Sequence, residues 1–404
     1  MSRPAGDWRD ELFARRTLGV RPGLAAITKI DEALGSPCAA VPMVHVVGTN
    51  GKGSTASMIA HLLMSDGDGP VGLFTSPHLH RVGERVCVDG QPIDDDSIRV
   101  RMSEVVAAEA ICRVELSFFE VLTMVALLEF EEAGVRSMVL EAGLGGRLDA
   151  TRVRTSRVIA FTSIDLDHQE FLGETLAEIA QEKAAVMHTQ AHVVAAPQAP
   201  EVRAVLESVA TRDACQLRFV DPTPRPPSGL VGVHQRINAG LAMAAVLAWR
   251  GEGAHPRADL LTLDGVRLPG RFEVVRHGDG TLVFDVAHNP AGFDAVSATV
   301  HSRLGIPDVV LVGWSASRDE RAMLNACPRG RMMGWVPLES GQRTPDAPWD
   351  FVFSGPDDPK IPRLLRINGG FGLVCGSHRV VGPIRAAVLG RVPADHPGLT
   401  DPTV

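Results

Sequence analysis

The chain carries no apolar run long enough to cross a membrane, no C-x-x-C pair and no excess of basic residues. The first absence argues against a membrane-spanning protein. The second matters because six cysteines, Cys38, Cys87, Cys112, Cys215, Cys327 and Cys375, are scattered along the chain. Neither a zinc site nor a disulfide framework favours such spacing, so a reducing cytoplasm is the expected compartment. The third shows as a net charge of −8, which argues against a general nucleic-acid binder. The start, "MSRPAGDWRDELFARR", lacks the apolar stretch of a secretory leader, and none is expected. Tyrosine is missing altogether, and the sequence offers no physical reason for that.

What is present suits two cores better than one. Of 404 residues, 45% are apolar, enough to fill two domains of a soluble globular protein. Apolar, β-branched runs ("MVHVVG", "VGLFT", "SMVLEAG", "VIAFTSI", "HVVAA") alternate with helical patterns ("STASMIAHLLMSD", "FFEVLTMVALLEFEEAG", "TLAEIAQEKAAVM"). That alternation predicts an α/β fold with a mostly parallel sheet and helices on both faces. A proline-rich loop, "DPTPRPPSG" at 221–229, precedes the helical "HQRINAGLAMAAVLAWR". Gly265, Pro269 and Gly270 then mark a break, after which "TLVFDVA", "DVVLVGWS", "WDFVFS" and "FGLVCGS" read as strands. A boundary near residue 266 follows, with domains over 1–265 and 266–404. The stretch 326–370 is rich in Pro, Gly and Arg and has weak periodicity.

The most informative segment is "VVGTNGKGSTASMIAHLL", residues 46–63. A strand, a glycine-rich turn and a helix in that order set a row of backbone N–H groups and the positive end of a helix dipole at one point, which suits phosphate. Thr49, Asn50, Gly51 and Gly53 would line that point. Lys52 would reach the terminal phosphates, and a hydroxyl from Ser54 or Thr55 would approach a phosphate or its Mg²⁺. The blander reading is a β–α turn with a solvated lysine. The spacing departs from G-x-x-x-x-G-K-[ST], because Gly53 separates Lys52 from Ser54.

That departure resembles the phosphate loop of the Mur-type ATP-dependent ligases, and within them the folylpolyglutamate synthase and dihydrofolate synthase family. The resemblance continues through "RPGLAAITKIDEALGSP", "TSPHLHRVGERVCVDGQPI", "LSFFEVLT", "LEAGLGGRLDAT", "SIDLDHQEFLGETLAEIAQEKAAVM", "GVHQRINAGLAMAA", "LPGRFEVV", "FDVAHNPAGFDAV" and "CGSHRVVGPIR", all in the family's order. It implies a P-loop ATPase domain with the acceptor site, followed by a smaller Rossmann-like domain that binds the amino acid. The implied chemistry is amide formation between glutamate and a pterin-like carboxylate through an acyl phosphate, with ATP and one or two Mg²⁺ as cofactors. A monomer is expected, with no nucleic-acid or membrane partner.

Residue by residue, the resemblance assigns Mg²⁺ to Ser76, Glu141 and His168, and a second Mg²⁺ to a carbamate on Lys183. Taken singly, these residues also read as a helix cap, a turn acid, a loop histidine and a solvated helix lysine. Asn238 would contact adenine, Asp285 the ribose or base, and Arg271 the phosphates, although an arginine there also suits a surface ion pair. Lys52, Lys183, Arg271 and His288 would be the catalytic set. His288 and Ser377 would lie near the amino acid, and Ser117, Phe119 and Asp149 near the pterin, with Phe119 equally suited to a core. Arg152, Leu268 and "SASRDER" depart from the family's pattern. Those departures keep open a paralogue that joins an amino acid to another carboxylate. A nucleotide-binding protein without catalysis is the third reading, opposed by the intact Lys52, Glu141, His168, Lys183 and Asp285.

Overall fold

The computed structural model describes residues 7–18, 23–251, 259–339, 341–367 and 369–390. The outer limits of the two expected domains, residues 1 and 404, lie outside these. The described chain builds two sheets. In the first, β1 (Met43–Val47), β2 (Val71–Phe74), β3 (Val86–Val88), β4 (Gln91–Pro92), β5 (Ser137–Glu141), β6 (Val158–Phe161), β7 (His192–Ala195) and β8 (Gln216–Phe219) take the order β4-β3-β2-β5-β1-β6-β7-β8. Strands β2, β5, β1, β6, β7 and β8 run parallel, while β3 pairs antiparallel with β2 and β4 antiparallel with β3.

Every residue of β1, β5 and β6 is buried. A parallel sheet covered on both faces reads as a continuous apolar run, which is why these strands are legible in the sequence. Val44 and Val46 of β1 pack on the helices Lys52–Ser65 and His234–Arg250. On the other face, Met43 meets Phe118–Glu132, and Val47 meets Leu176–Ala184. At β1 the two neighbours, β5 and β6, lie on opposite sides, and a crevice opens at the carboxyl ends of the strands, where α/β sheets place their ligands.

The second sheet contains β9 (Glu273–His277), β10 (Gly280–Asp285), β11 (Val309–Val312), β12 (Met332–Trp335), β13 (Phe351–Val352) and β14 (Phe371–Cys375), in the order β13-β12-β11-β14-β10-β9. It is parallel except for β9. Val266 and Leu268 pack into the first sheet's core, whereas Phe272 packs into the second's. The chain therefore changes cores between Leu268 and Phe272. "WDFVFS" shortens to the two-residue β13, an edge strand held only by β12. None of the six cysteines is in a disulfide, and no described helix is long and apolar enough to cross a membrane.

Candidate active site

The carboxyl end of β1 runs through residues 48–51 into the helix Lys52–Ser65. Gly48 (φ +152°) and Gly51 (φ +87°) are both required. A Cβ on Gly48 would collide with Thr162 Oγ1, and one on Gly51 with Asn238 Oδ1, so the chain approaches its neighbours too closely for any other residue. The loop is pinned to the strand beside it. Thr49 N and Asn50 N donate to Ser163 O at 2.8 and 3.3 Å. Asn50 Nδ2 donates to Asp165 Oδ2 at 3.1 Å. No side chain caps the helix at Gly51, so its first N–H groups face the crevice, the arrangement that binds anions. Lys52 Nζ folds back to Thr49 O at 3.1 Å.

These residues line a cavity of about 250 Å³ between the two sheets. Ser54 lines it, while Thr55 is fully buried beneath, so of the two candidate hydroxyls only Ser54 is in reach. Ser76, Glu141 and Arg271 line it beside the loop. Glu141 ends β5, and its Oε2 accepts from Ser76 N at 2.9 Å. Burial pushes its carboxyl up, against the pull of Lys52 and Arg271. A Cβ set on Gly53 would stand 3.4 Å from Glu141 Oε2 and 3.8 Å from Arg271 Nη2, so carboxylate and guanidinium meet over the loop. Arg271 belongs to the segment that leads into the second sheet.

The turn after β6 contributes Asp165, Asp167 and His168. His168 sits in the left-handed region (φ +50°), and burial lowers its pKa to about 4. Burial works against the charge on Asp167, yet His168, Arg318 and His288 together hold its pKa below the usual range. Arg318, from the atypical "SASRDER", pairs with Asp167 across the cleft, and Asn289 Nδ2 reaches Asn50 Oδ1 at 2.9 Å. Lys183 is not a solvated helix lysine. It is 4% exposed and donates to Gly48 O at 2.8 Å, and burial, then Lys52, lowers its pKa to about 7.

The described residues hold no group of three or more His, Cys, Asp or Glu able to hold a metal unaided. A Mg²⁺ that keeps its waters and binds phosphate oxygens needs only one or two protein carboxylates. A buried carboxylate held by one backbone N–H, as Glu141 is, fits that requirement.

Asn238, on the first domain's helix His234–Arg250, and the loop after β10 of the second sheet complete the cavity. Both carboxylate oxygens of Asp285 are engaged, accepting from Phe272 N and Ala287 N at 2.8 Å. His288 Nδ1 meets Val286 O at 3.0 Å, which leaves Nε2 for other partners.

Four residues expected around substrate do not line this cavity. Ser377 caps the helix His378–Val388, accepting from Arg379 N at 3.1 Å. Ser117 caps the helix Phe118–Glu132 and donates to Glu120 at 2.6 Å. Asp149 accepts from Leu144 N and Thr151 N at 2.9 and 3.0 Å. Phe119 packs on Phe74 at 5.5 Å between ring centres, and on Gly143, which does line the cavity. Conversely, the cavity also takes in Asp165, Asp167, His234 and His378, which the sequence reading gives no role although all four lie within the motifs quoted. The acids alternating in "SIDLDH" after a strand were the available signal.

A phosphate loop at the switch point of a parallel sheet, faced by acids and cations from a second α/β sheet, defines an enzyme of the Mur-ligase class. A family model described as the Mur ligase middle domain matches residues 46–217. Bacillus subtilis dihydrofolate synthase/folylpolyglutamate synthase is 32% identical over 346 residues, covering 78% of this chain and 80% of that protein. A probable bifunctional folylpolyglutamate synthase/dihydropteroate synthase of Haloferax volcanii is 35% identical over 347 residues, but this chain spans only 41% of its length.

Among solved structures, Escherichia coli FolC in complex with DHPP and ADP superimposes with a TM-score of 0.83 at 27% identity, covering 96% of this chain and 99% of that one. A bifunctional folylpolyglutamate synthase/dihydrofolate synthase with Mn, AMPPNP and L-glutamate bound gives 0.82 at 26%, covering 96% and 99%. The chain belongs to the folylpolyglutamate synthase and dihydrofolate synthase family, whose members are ATP-dependent glutamate ligases.

Proposed function

We propose that this protein joins L-glutamate to a carboxylate acceptor, dihydropteroate or a reduced folate, by activating the acceptor with ATP. The observation that carries this reading is the meeting of Lys52, Glu141 and Arg271 around Gly53, at the point where the phosphate loop of one domain faces the other. A carboxylate is a poor electrophile, and an acyl phosphate is not. The loop N–H groups and Lys52 hold the phosphates, and Arg271 offsets the charge that grows during phosphoryl transfer. Ser76, Glu141 and His168 are the residues that would hold Mg²⁺, which supplies further charge neutralisation. Lys183, buried beside Gly48, would carry a carbamate for a second ion, and its burial next to the loop supports that reading. The amine of glutamate then attacks the acyl carbon and phosphate leaves, in a cleft that excludes water.

The relatives that carry ADP, AMPPNP, Mn, L-glutamate or DHPP support the choice of cofactors and substrates. A second reading, a ligase for a different aromatic carboxylate, is favoured by the internal hydrogen bonds that occupy Ser117 and Asp149. Phosphate release from ATP with glutamate, measured over pteroates, folates and unrelated aryl carboxylates, tests both. If reduced folates and dihydropteroate neither react nor inhibit at about millimolar concentration, the folate reading fails.

A further inference from the structure

Ser377 and His378 divide the start of the helix His378–Val388 between them. Ser377 is consumed by the cap, accepting from Arg379 N. His378 is 4% exposed, and it lines both the cavity described above and a second one of about 620 Å³ on the far side of Glu141 and Arg271. Its Nδ1 is buried without a hydrogen-bond partner. A buried polar atom left unsatisfied is costly, a cost that a ligand can remove.

What surrounds the ring decides which ligand. Burial, then Arg271, His288, His78 and Arg85, keeps His378 neutral. The His288 ring lies 6.2 Å away. The positive end of an 11-residue helix adds to the same potential. Such a site disfavours an ammonium and favours an anion, to which a neutral imidazole protonated at Nδ1 donates a hydrogen bond.

The location separates the candidate anions. Phosphate is received by the loop N–H groups of the first domain. His288 and His378 follow β10 and β14, adjacent strands of the second sheet with Asp285 opposite Cys375, so they face the phosphate loop from across the cleft. With the phosphates held by the loop, these strand ends are the wall of the cavity left for the incoming amino acid.

Resting on the reading of the protein as a glutamate ligase, we propose that His378 donates from Nδ1 to a carboxylate of the incoming amino acid and so helps to select it. This makes it a specificity residue adjacent to, but distinct from, the capping Ser377.

The test uses the full chain with His378→Leu and His378→Asn, since the asparagine amide falls near the place of the imidazole Nδ1. L-Glutamate is titrated calorimetrically into protein loaded with Mg²⁺ and AMPPNP, and KM is measured for glutamate and for ATP. The leucine variant is expected to raise KM for glutamate about tenfold or more while KM for ATP stays within about twofold, and asparagine is expected to restore most of the loss. Should the leucine variant not fold, His378→Gln, whose amide cannot sit at the Nδ1 position, replaces it with the same expectation. Equal glutamate binding in the parent and the leucine or glutamine variant, or no advantage of asparagine over either, overturns the assignment. If the parent binds AMPPNP but no glutamate, the ligase reading falls, and this assignment falls with it.

Discussion

Lys183 Nζ donates to the carbonyl oxygen of Gly48 at 2.8 Å, tying the helix Leu176–Ala184 to the first residue of the phosphate loop. An amine this buried, 4% exposed, has no solvent to hold its charge, and the contact places it beside the nucleotide site.

Lys183→Ala is therefore expected to cripple turnover. A short carboxylic acid in the buffer should restore part of it, by occupying the vacated space as a carbamate would. Removal of CO₂ and bicarbonate from the parent should lower activity reversibly, and activity indifferent to CO₂ would count against the carbamate.

Lys52→Ala should reduce ligation by about 100-fold to 1,000-fold, the scale of losing one preorganised charge at a phosphoryl centre. Its Nζ donates to Thr49 O within the loop itself, so the thermal midpoint should stay close to the parent's. Unchanged turnover in a folded variant would falsify the role given to the loop lysine.

Arg318 and Asp167 form an ion pair between the two domains, with Arg318 13% exposed and Asp167 6% exposed. Arg318→Ala should weaken closure of the cleft, lowering turnover by about tenfold. Small-angle scattering in the presence of nucleotide should show a more extended particle. A profile and a turnover that both match the parent would show that the pair does not control closure.

His45, inside β1, sets a limit on acid stability. Burial lowers its pKa to about 3, and its Nε2 meets Thr151 Oγ1 at 2.7 Å. The unfolded chain takes up this proton near the ordinary pKa of about 6.5. The contribution to stability is therefore complete above pH 6.5 and is lost as pH falls towards 3. At about 1.4 kcal/mol per unit, the loss by about pH 3.5 is on the order of 4 kcal/mol. His45→Gln, which keeps a donor towards Thr151, should flatten the decline in denaturant midpoint between pH 6.5 and 4. Parallel declines in parent and variant would place the acid sensitivity elsewhere, the buried His78 being the next candidate.

Phe119 packs on Phe74 and on Gly143 behind the cavity wall. Phe119→Ala should cost less than about 3 kcal/mol of stability, the scale for emptying a core aromatic, because the ring is only partly buried. If the ring also shapes the acceptor site, KM for the acceptor rises while KM for ATP does not, and no change in either shows a packing role alone.

Features that depend on neighbours along the chain are readable from the order of residues alone. The phosphate loop is legible because a strand, two glycines that must lie close to other chain segments, a lysine and a helix start follow one another within a dozen or so residues. The central strands are legible because burial on both faces leaves an unbroken apolar run. The remainder follows from how distant elements pack.

A lysine on a helix looks the same whether that face meets water or, as at Lys183, the back of the phosphate loop. Asp167 and Arg318 are 151 residues apart, and no local pattern brings them together. Ser377 and His378 are adjacent, yet the cap claims one and the cavity the other, because the direction of a side chain at a helix start follows from the cap geometry. In the same way, Ser117 and Asp149 are turned inward by hydrogen bonds to Glu120 and Thr151. Spacing records which chemistry a chain carries. Which groups face a common cavity depends on the packing of elements distant in sequence, where burial and hydrogen bonding choose among side chains that the sequence leaves equivalent.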